Sequence, residues 1–290
     1  MRKLLITSLL LAAACLTAGA QLLYRISGGG LEHPSYIFGT HHIAPLSIVD
    51  SIAGFDSAFA SCSQLYGEIE MDSANTPAAQ QMMMQAMMAP ADSALTALFT
   101  PAEFALIDSA VRLYLGVGAE QLAVLKPAAL STQLSVAQTL KVFPGFSQAE
   151  QLDIYLQRRA AERGMPVRGL ESLASQIDVL FGAPLREQAD ELLELVTMER
   201  ADELARRMAD AYMAQDAAEL YRLMTDPEWG GNEAELERIL FGRNEAWVAK
   251  MPAIMEAQPS FFVVGAGHLP GSRGVLSLLG QRGYKVEPVK

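Results

Sequence analysis

Cysteine is almost missing from this 290-residue chain, which carries only Cys15 and Cys62. If Cys15 leaves with an amino-terminal leader, Cys62 is alone and an internal disulfide is excluded. Cys62 then reads as a small apolar residue at a helix end, and the fold must rest on its core. Histidine is nearly as scarce, with four in all. Positive charge is short too: 22 Lys and Arg face 33 Asp and Glu, for a net charge of −11. No basic patch with interleaved aromatics occurs, which argues against nucleic acid as a partner. An acidic surface equally disfavours anionic lipid headgroups. Beyond residue 20 no apolar run approaches a membrane-spanning length, because charges interrupt every helix-like segment. H-E-x-x-H, G-x-S-x-G, Walker A and Rossmann glycine patterns are all absent, so ordinary zincin, serine hydrolase and nucleotide-binding readings lose their main support.

The first twenty residues have their own logic. Arg2 and Lys3 precede an apolar stretch from Leu4 to Cys15, and Ala18-Gly19-Ala20 forms an A-x-A site before Gln21. This pattern predicts a secretory signal peptide over 1–20 and an exported mature chain, periplasmic or secreted, over 21–290. A competing pattern, Ala12-Ala13-Ala14-Cys15, resembles a lipobox, and a lipid anchor follows only if Cys15 is lipidated. At 51% hydrophobic residues the chain can bury a large core.

The ends of the mature chain read as α/β structure and its middle as helix. Leu22 to Ser27 and Tyr36 to Phe38 are strand-like and joined by Gly28-Gly29-Gly30, a hairpin-like connection. Ile48 to Phe59 reads as one short amphipathic helix. Leu65 to Met71 reads as a strand whose end carries Glu68, Glu70 and Asp72 on one face. Helices dominate from Thr76, with Thr100-Pro101-Ala102-Glu103 a clear helix start. Val167 to Gly169 is a short strand candidate, and Pro184 to about Gln215 a long charged helix. Ser260 to Val264 and Lys285 to Val289 return to strand. The expectation is an α/β (α+β) fold: a central sheet flanked by helices within one domain over 21–290. A large helical insertion spans about 76–256, interrupted by the short strand near 166–169.

Against this background two turns stand out. Gly39-Thr40-His41-His42 and Gly265-Ala266-Gly267-His268 each follow an apolar strand, and they hold three of the four histidines. A strand that ends in glycine with an imidazole just beyond is how α/β proteins build sites at sheet edges. Two such turns converge only if their strands share one sheet. Neutral imidazole is the commonest nitrogen ligand for a metal, so His42 and His268 are the first candidates. Glu68 and Glu70 could complete a metal site or act as general base, or could simply solvate a sheet edge. Glu171 could serve the site or complement a helix dipole. Arg243 and Asn244 could hold a substrate carboxylate or carbonyl oxygen, or be an ordinary surface pair. The run from Met82 to Met88 suggests adaptable packing or a movable, greasy wall rather than a copper site.

These residues, taken in order, resemble the TraB/GumN family. The resemblance is carried by Leu23 to Ser27, Tyr36 to His42, Gly67 to Asp72, Gly169-Leu170-Glu171 with Gln176, Arg243-Asn244, and Val264 to Gly271. Gly274-Val275-Leu276 and Gly283 to Val286 extend it over essentially the whole mature chain. The family includes Tiki-type metal-dependent proteases, proteins implicated in restraining peptide pheromones, and exported bacterial members. The resemblance implies a mixed sheet with helices around it and a helical insertion. It implies that His42, His268 and Glu68 hold a divalent ion (manganese, cobalt or zinc), with Glu68, Glu70, Glu171 and Arg243 as catalytic or supporting groups. Asn244 and His41, the neighbour that should face away from His42, are assigned to substrate contact. The activity it implies is hydrolysis of a peptide or protein substrate; the alternative is a non-catalytic envelope protein that sequesters peptides. Hydrolysis of a non-peptide ester is a third, weaker option.

Overall fold

An apolar run such as Phe261-Phe262-Val263-Val264 suits a strand whose two faces are both covered. In the computed structural model all four residues are buried in the middle of a six-stranded mixed sheet. The structure describes residues 21–147, 151–229 and 231–290. The leader expected over 1–20, with Cys15, lies outside the described residues.

Strands β1 (Leu23–Gly28) and β2 (Ser35–Thr40) pair antiparallel through the glycine turn, as their flanks predict. Helices α1 (Ile48–Ser51) and α2 (Phe55–Ala60) lead to β3 (Gln64–Gly67). Then come α3 (Met71–Ala74), α4 (Pro77–Met87), α5 (Leu95–Leu98), α6 (Pro101–Leu115), α7 (Pro127–Val142) and α8 (Leu152–Glu162), ahead of β4 (Val167–Gly169). Helices α9 (Leu173–Phe181), α10 (Leu185–Thr197), α11 (Ala201–Met213), α12 (Ala217–Thr225) and α13 (Glu233–Leu236) follow. A π-helical turn, Glu237–Phe241, runs into α14 (Gly242–Ala257). The chain closes with β5 (Ser260–Gly265), α15 (Val275–Gln281) and β6 (Tyr284–Pro288).

The strand order is β4-β3-β5-β2-β1-β6, with the first four mutually parallel and the last two pairings antiparallel. Side chains alternate between two cores. Phe38, Phe261 and Val263 pack under α1, α2, α8, α11 and α12, while Ile37, Phe262 and Val264 pack under α14 and α15. The inserted helices α5, α6, α7 and α10 build a third core of their own around Ile107, Leu130 and Leu192. The helix start at Thr100 is a complete capping box.

Three expectations change. The segment Ile48 to Phe59 is two helices, because Gly54 takes φ +69° and turns the chain between them. The long charged helix breaks at Met198, where the backbone becomes extended, giving α10 and α11. Strand β3 stops at Gly67 rather than Met71. The Gln157 side chain donates to the Ile69 carbonyl (2.9 Å) and accepts from the Met71 N–H (2.9 Å), occupying groups a ladder would use.

Candidate active site at the ends of four parallel strands

Parallel strands finish at one edge, so β2, β5, β3 and β4 deliver their following residues to a common place. Thr40 is in register with Gly265, and Gly67 with both Val263 and Gly169. The residues just beyond are His42, His268, Glu68 and Glu171. Gly39 permits the closeness of the two histidine turns: a Cβ there would lie 2.9 Å from the Ala266 Cα.

Glu68 is the centre of the network. One carboxylate oxygen, Oε1, accepts from the Gly265 N–H at 2.8 Å; the other, Oε2, accepts from Arg243 Nη2 at 2.6 Å and Gln176 Nε2 at 3.1 Å. Arg243 also donates Nη2 to Glu171 Oε1 at 2.6 Å and Nη1 to the Ile239 carbonyl at 2.9 Å. Its guanidinium lies 4.7 Å from the Trp247 ring centre, and the Trp247 indole N–H donates to Glu171 Oε2 at 3.2 Å. Burial opposes the charge on Glu68, but His268, Arg243 and His42 together with the Gly265 N–H outweigh it and hold the carboxyl at about 2.

The two imidazoles differ sharply. The His268 side chain is 6% exposed, its ring 4.5 Å from that of Trp247. Its Nδ1 lies 2.6 Å from Asn244 Oδ1, and its Nε2 faces Arg243 Nη1 at 3.1 Å. An amide oxygen accepts and a guanidinium donates, so the ring is neutral with its proton on Nδ1. Burial pushes its pKa down to about 4. The His42 side chain is 57% exposed at the cavity and its Nδ1 meets Asp153 Oδ2 at 2.7 Å. Asp153 itself is held by the Thr40 hydroxyl at 2.9 Å. The Asp153 charge beside His42 raises its pKa to about 9.

The other expected residues fall into place unevenly. Asn244 orients His268 and donates Nδ2 to the Arg273 carbonyl at 2.9 Å. His41 lines the same cavity, its ring against Phe143 and Tyr212, and burial lowers it to about 4. Glu70 is exposed at the N-cap of α3 rather than sharing a face with Glu68. Sequence reasoning missed Asp153 and Thr40. The available signal was an acid on the otherwise closed stripe of α8, where Leu152, Asp153, Leu156, Gln157 and Ala160 are all buried.

His42, Glu68, Arg243 and His268 form part of the lining of a cavity of about 810 Å³. Several features there suit a divalent cation. His268 Nε2 and Glu68 Oε1 are 3.7 Å apart, too far for a hydrogen bond and short enough for one ion with bonds of about 2.1 Å to each. Both imidazoles have Nδ1 tied to an outer partner, as metal-bound histidines do, but His268 Nε2 is taken by Arg243 Nη1 at 3.1 Å, which would have to withdraw for an ion to bind. Among the described residues no three His, Cys, Asp or Glu side chains stand ready to share one ion. The donor types fit; a third ligand needs His42 to join the pair.

A mixed α/β sheet thus gathers two histidines, two glutamates and an arginine into one polar site at its parallel strand ends. A sequence model of the TraB/PrgY/gumN family matches residues 22–288, and the chain belongs to that family. It is also 37% identical over 54 residues to a zebrafish (Danio rerio) protein named Metalloprotease TIKI2; the aligned stretch is 18% of this chain and 10% of that protein. No solved structure matches.

Proposed function

We propose that this chain is an exported, metal-dependent hydrolase acting on peptide bonds. The observation that carries the reading is the meeting of both Gly-x-x-His turns with Glu68 at the floor of one cavity. His42, His268 and Glu68 would hold the ion. A divalent ion bound there supplies Lewis-acid polarisation of a carbonyl.

The chain's own residues have distinct tasks. Asn244 sets the His268 tautomer, which puts the lone pair on Nε2; Arg243 Nη1 donates to it at 3.1 Å and would have to yield that place to an ion. Arg243 offsets one of the two negative charges of Glu68 and Glu171, and with its five N–H groups committed to Glu68, Glu171, His268 and the Ile239 carbonyl it holds these groups in place. Glu68 stays ionised near neutral pH, which suits a ligand to a cation rather than a proton acceptor. Asp153 fixes the ring plane of His42. His42 carries a proton at neutral pH, so its service as a ligand releases that proton.

The test is cleavage of a mixed peptide pool by residues 21–290, followed by mass spectrometry, with and without a chelator. Cleavage that needs a divalent ion and disappears in His268→Ala and Glu68→Gln supports the reading. Cleavage indifferent to both substitutions contradicts it. A second reading, peptide capture without turnover, draws on Arg243, which already satisfies Glu68 Oε2 at 2.6 Å. It predicts that peptide binding survives loss of both histidines.

A further inference from the structure

The floor of the cavity is charged and its walls are not. Those walls, from α7, α11, α12 and the π-helical turn, are mostly apolar, with Val136, Leu140, Ile239 and Leu240 interrupted by the neutral Ser135, Thr139 and Gln151. Helices α11 and α12 are rich in charge, yet that charge is spent elsewhere. Arg207 pairs with Glu219 at 2.9 Å, and Arg222 pairs with Glu219 at 2.7 Å and Asp226 at 3.1 Å. What these two helices turn toward the cavity is Met208, Leu220 and Met224. Among the described lining residues the only Asp, Glu, Lys or Arg side chains are Glu68 and Arg243, both on the floor. Gly267 brings Met224 close to the histidine turn: a Cβ at Gly267 would lie 2.6 Å from the Met224 sulfur.

We propose that this cavity selects a peptide substrate with an apolar side chain beside the bond that reaches His42, Glu68 and His268. The inference rests on the hydrolase reading and adds the substrate class to it. An apolar side chain gains by leaving water against Val136, Leu140 and Ile239. A Lys or Glu side chain in the same place loses hydration and, among the described wall residues, meets no opposite charge, only the neutral Ser135, Thr139 and Gln151. The two methionines have unbranched, adjustable side chains, so the preference covers branched and aromatic residues rather than one shape. The peptide carbonyl, the polar part, falls at the charged floor.

The test uses blocked hexapeptide amides that differ only in one central residue (Leu, Phe, Ala, Lys or Glu), with the 21–290 chain intact. Binding is read by fluorescence anisotropy and cleavage by mass spectrometry. The Leu and Phe peptides should bind at least tenfold more tightly than the Lys and Glu peptides. Val136, on an exposed part of α7, gives reciprocal variants that leave the floor untouched. Val136→Glu should weaken Leu and Phe binding and favour the Lys peptide; Val136→Lys should favour the Glu peptide. Equal binding of all five peptides, no binding of any, or a preference unmoved by both variants overturns the inference. Selective binding without cleavage sustains it while removing the hydrolase reading. Cleavage without selectivity does the reverse.

Discussion

The two Gly-x-x-His turns lie side by side on adjacent parallel strands and yet hold their imidazoles in opposite states. His268 is buried, with an amide on one nitrogen and a guanidinium on the other, and stays neutral down to about 4. His42 faces the cavity with a carboxylate on Nδ1, and stays protonated up to about 9. The motif places a ring at a strand end; the neighbour's charge and the depth of burial decide what the ring does. That neighbour comes from α8 for one turn and α14 for the other, both far from the motif in sequence. A repeated motif is thus one scaffold with two chemistries.

The largest effect is expected at the group that joins both sides. Arg243→Met leaves Glu68 and Glu171 buried without their cation and frees His268 Nε2. The variant should lose about 3–5 kcal/mol of stability in denaturant unfolding. An unchanged midpoint would mean that the network around Glu68 is not the keystone of this edge.

The next effect separates the turns physically. In Gly39→Ala the new Cβ meets backbone at Ala266 (2.9 Å), and backbone cannot swing aside as a side chain does. A loss of about 1–3 kcal/mol is expected. It should come with a changed His268 resonance in NMR spectra.

Two substitutions should trade the states of the rings. Asn244→Asp puts a negative charge where an amide oxygen stands 2.6 Å from His268 Nδ1. It should raise the His268 pKa by roughly 1 to 3 pH units, read by NMR titration. In the parent chain the unfolded state takes up this proton near 6.5 and the folded state refuses it until about 4, so stability falls as the pH drops through that window. The variant should narrow the window.

Asp153→Asn is the gentler counterpart, since it can keep the Thr40 contact and removes only charge. The His42 pKa should fall from about 9 toward the ordinary 6.5. The parent pair stabilises the folded chain fully below 6.5, and that contribution fades as the pH rises through about 9. The variant should show no such decline between those values. A persistent high His42 pKa would contradict the assigned partner.

Much of this edge was legible in the sequence because it depends on local pattern. The apolar runs at Tyr36–Phe38 and Phe261–Val264 mark buried strands, and the glycines after them mark sharp exits. The resemblance in ordered motifs brought Glu68, Glu171, Arg243 and Asn244 into one picture, and the structure gathers all four. Glu70 misled because period-two alternation assumes that the strand continues, whereas Gln157 of α8 ends it at Gly67. Asp153 was hidden for a similar reason. An acid in the first turn of a helix satisfies the dipole whether or not a histidine faces it, so only the docking of α8 against the sheet reveals its task. The states of His42 and His268 were equally out of reach, because neither partner is a sequence neighbour.

The central claim is that the two turns and Glu68 make one cation site. The most direct measurement is the metal content of residues 21–290 after loading with manganese, cobalt or zinc and desalting, beside the His42→Ala/His268→Ala variant. About one ion per chain in the parent and none in the variant is the predicted result. No ion in the parent under any loading condition, or an ion retained by the variant, would contradict the account.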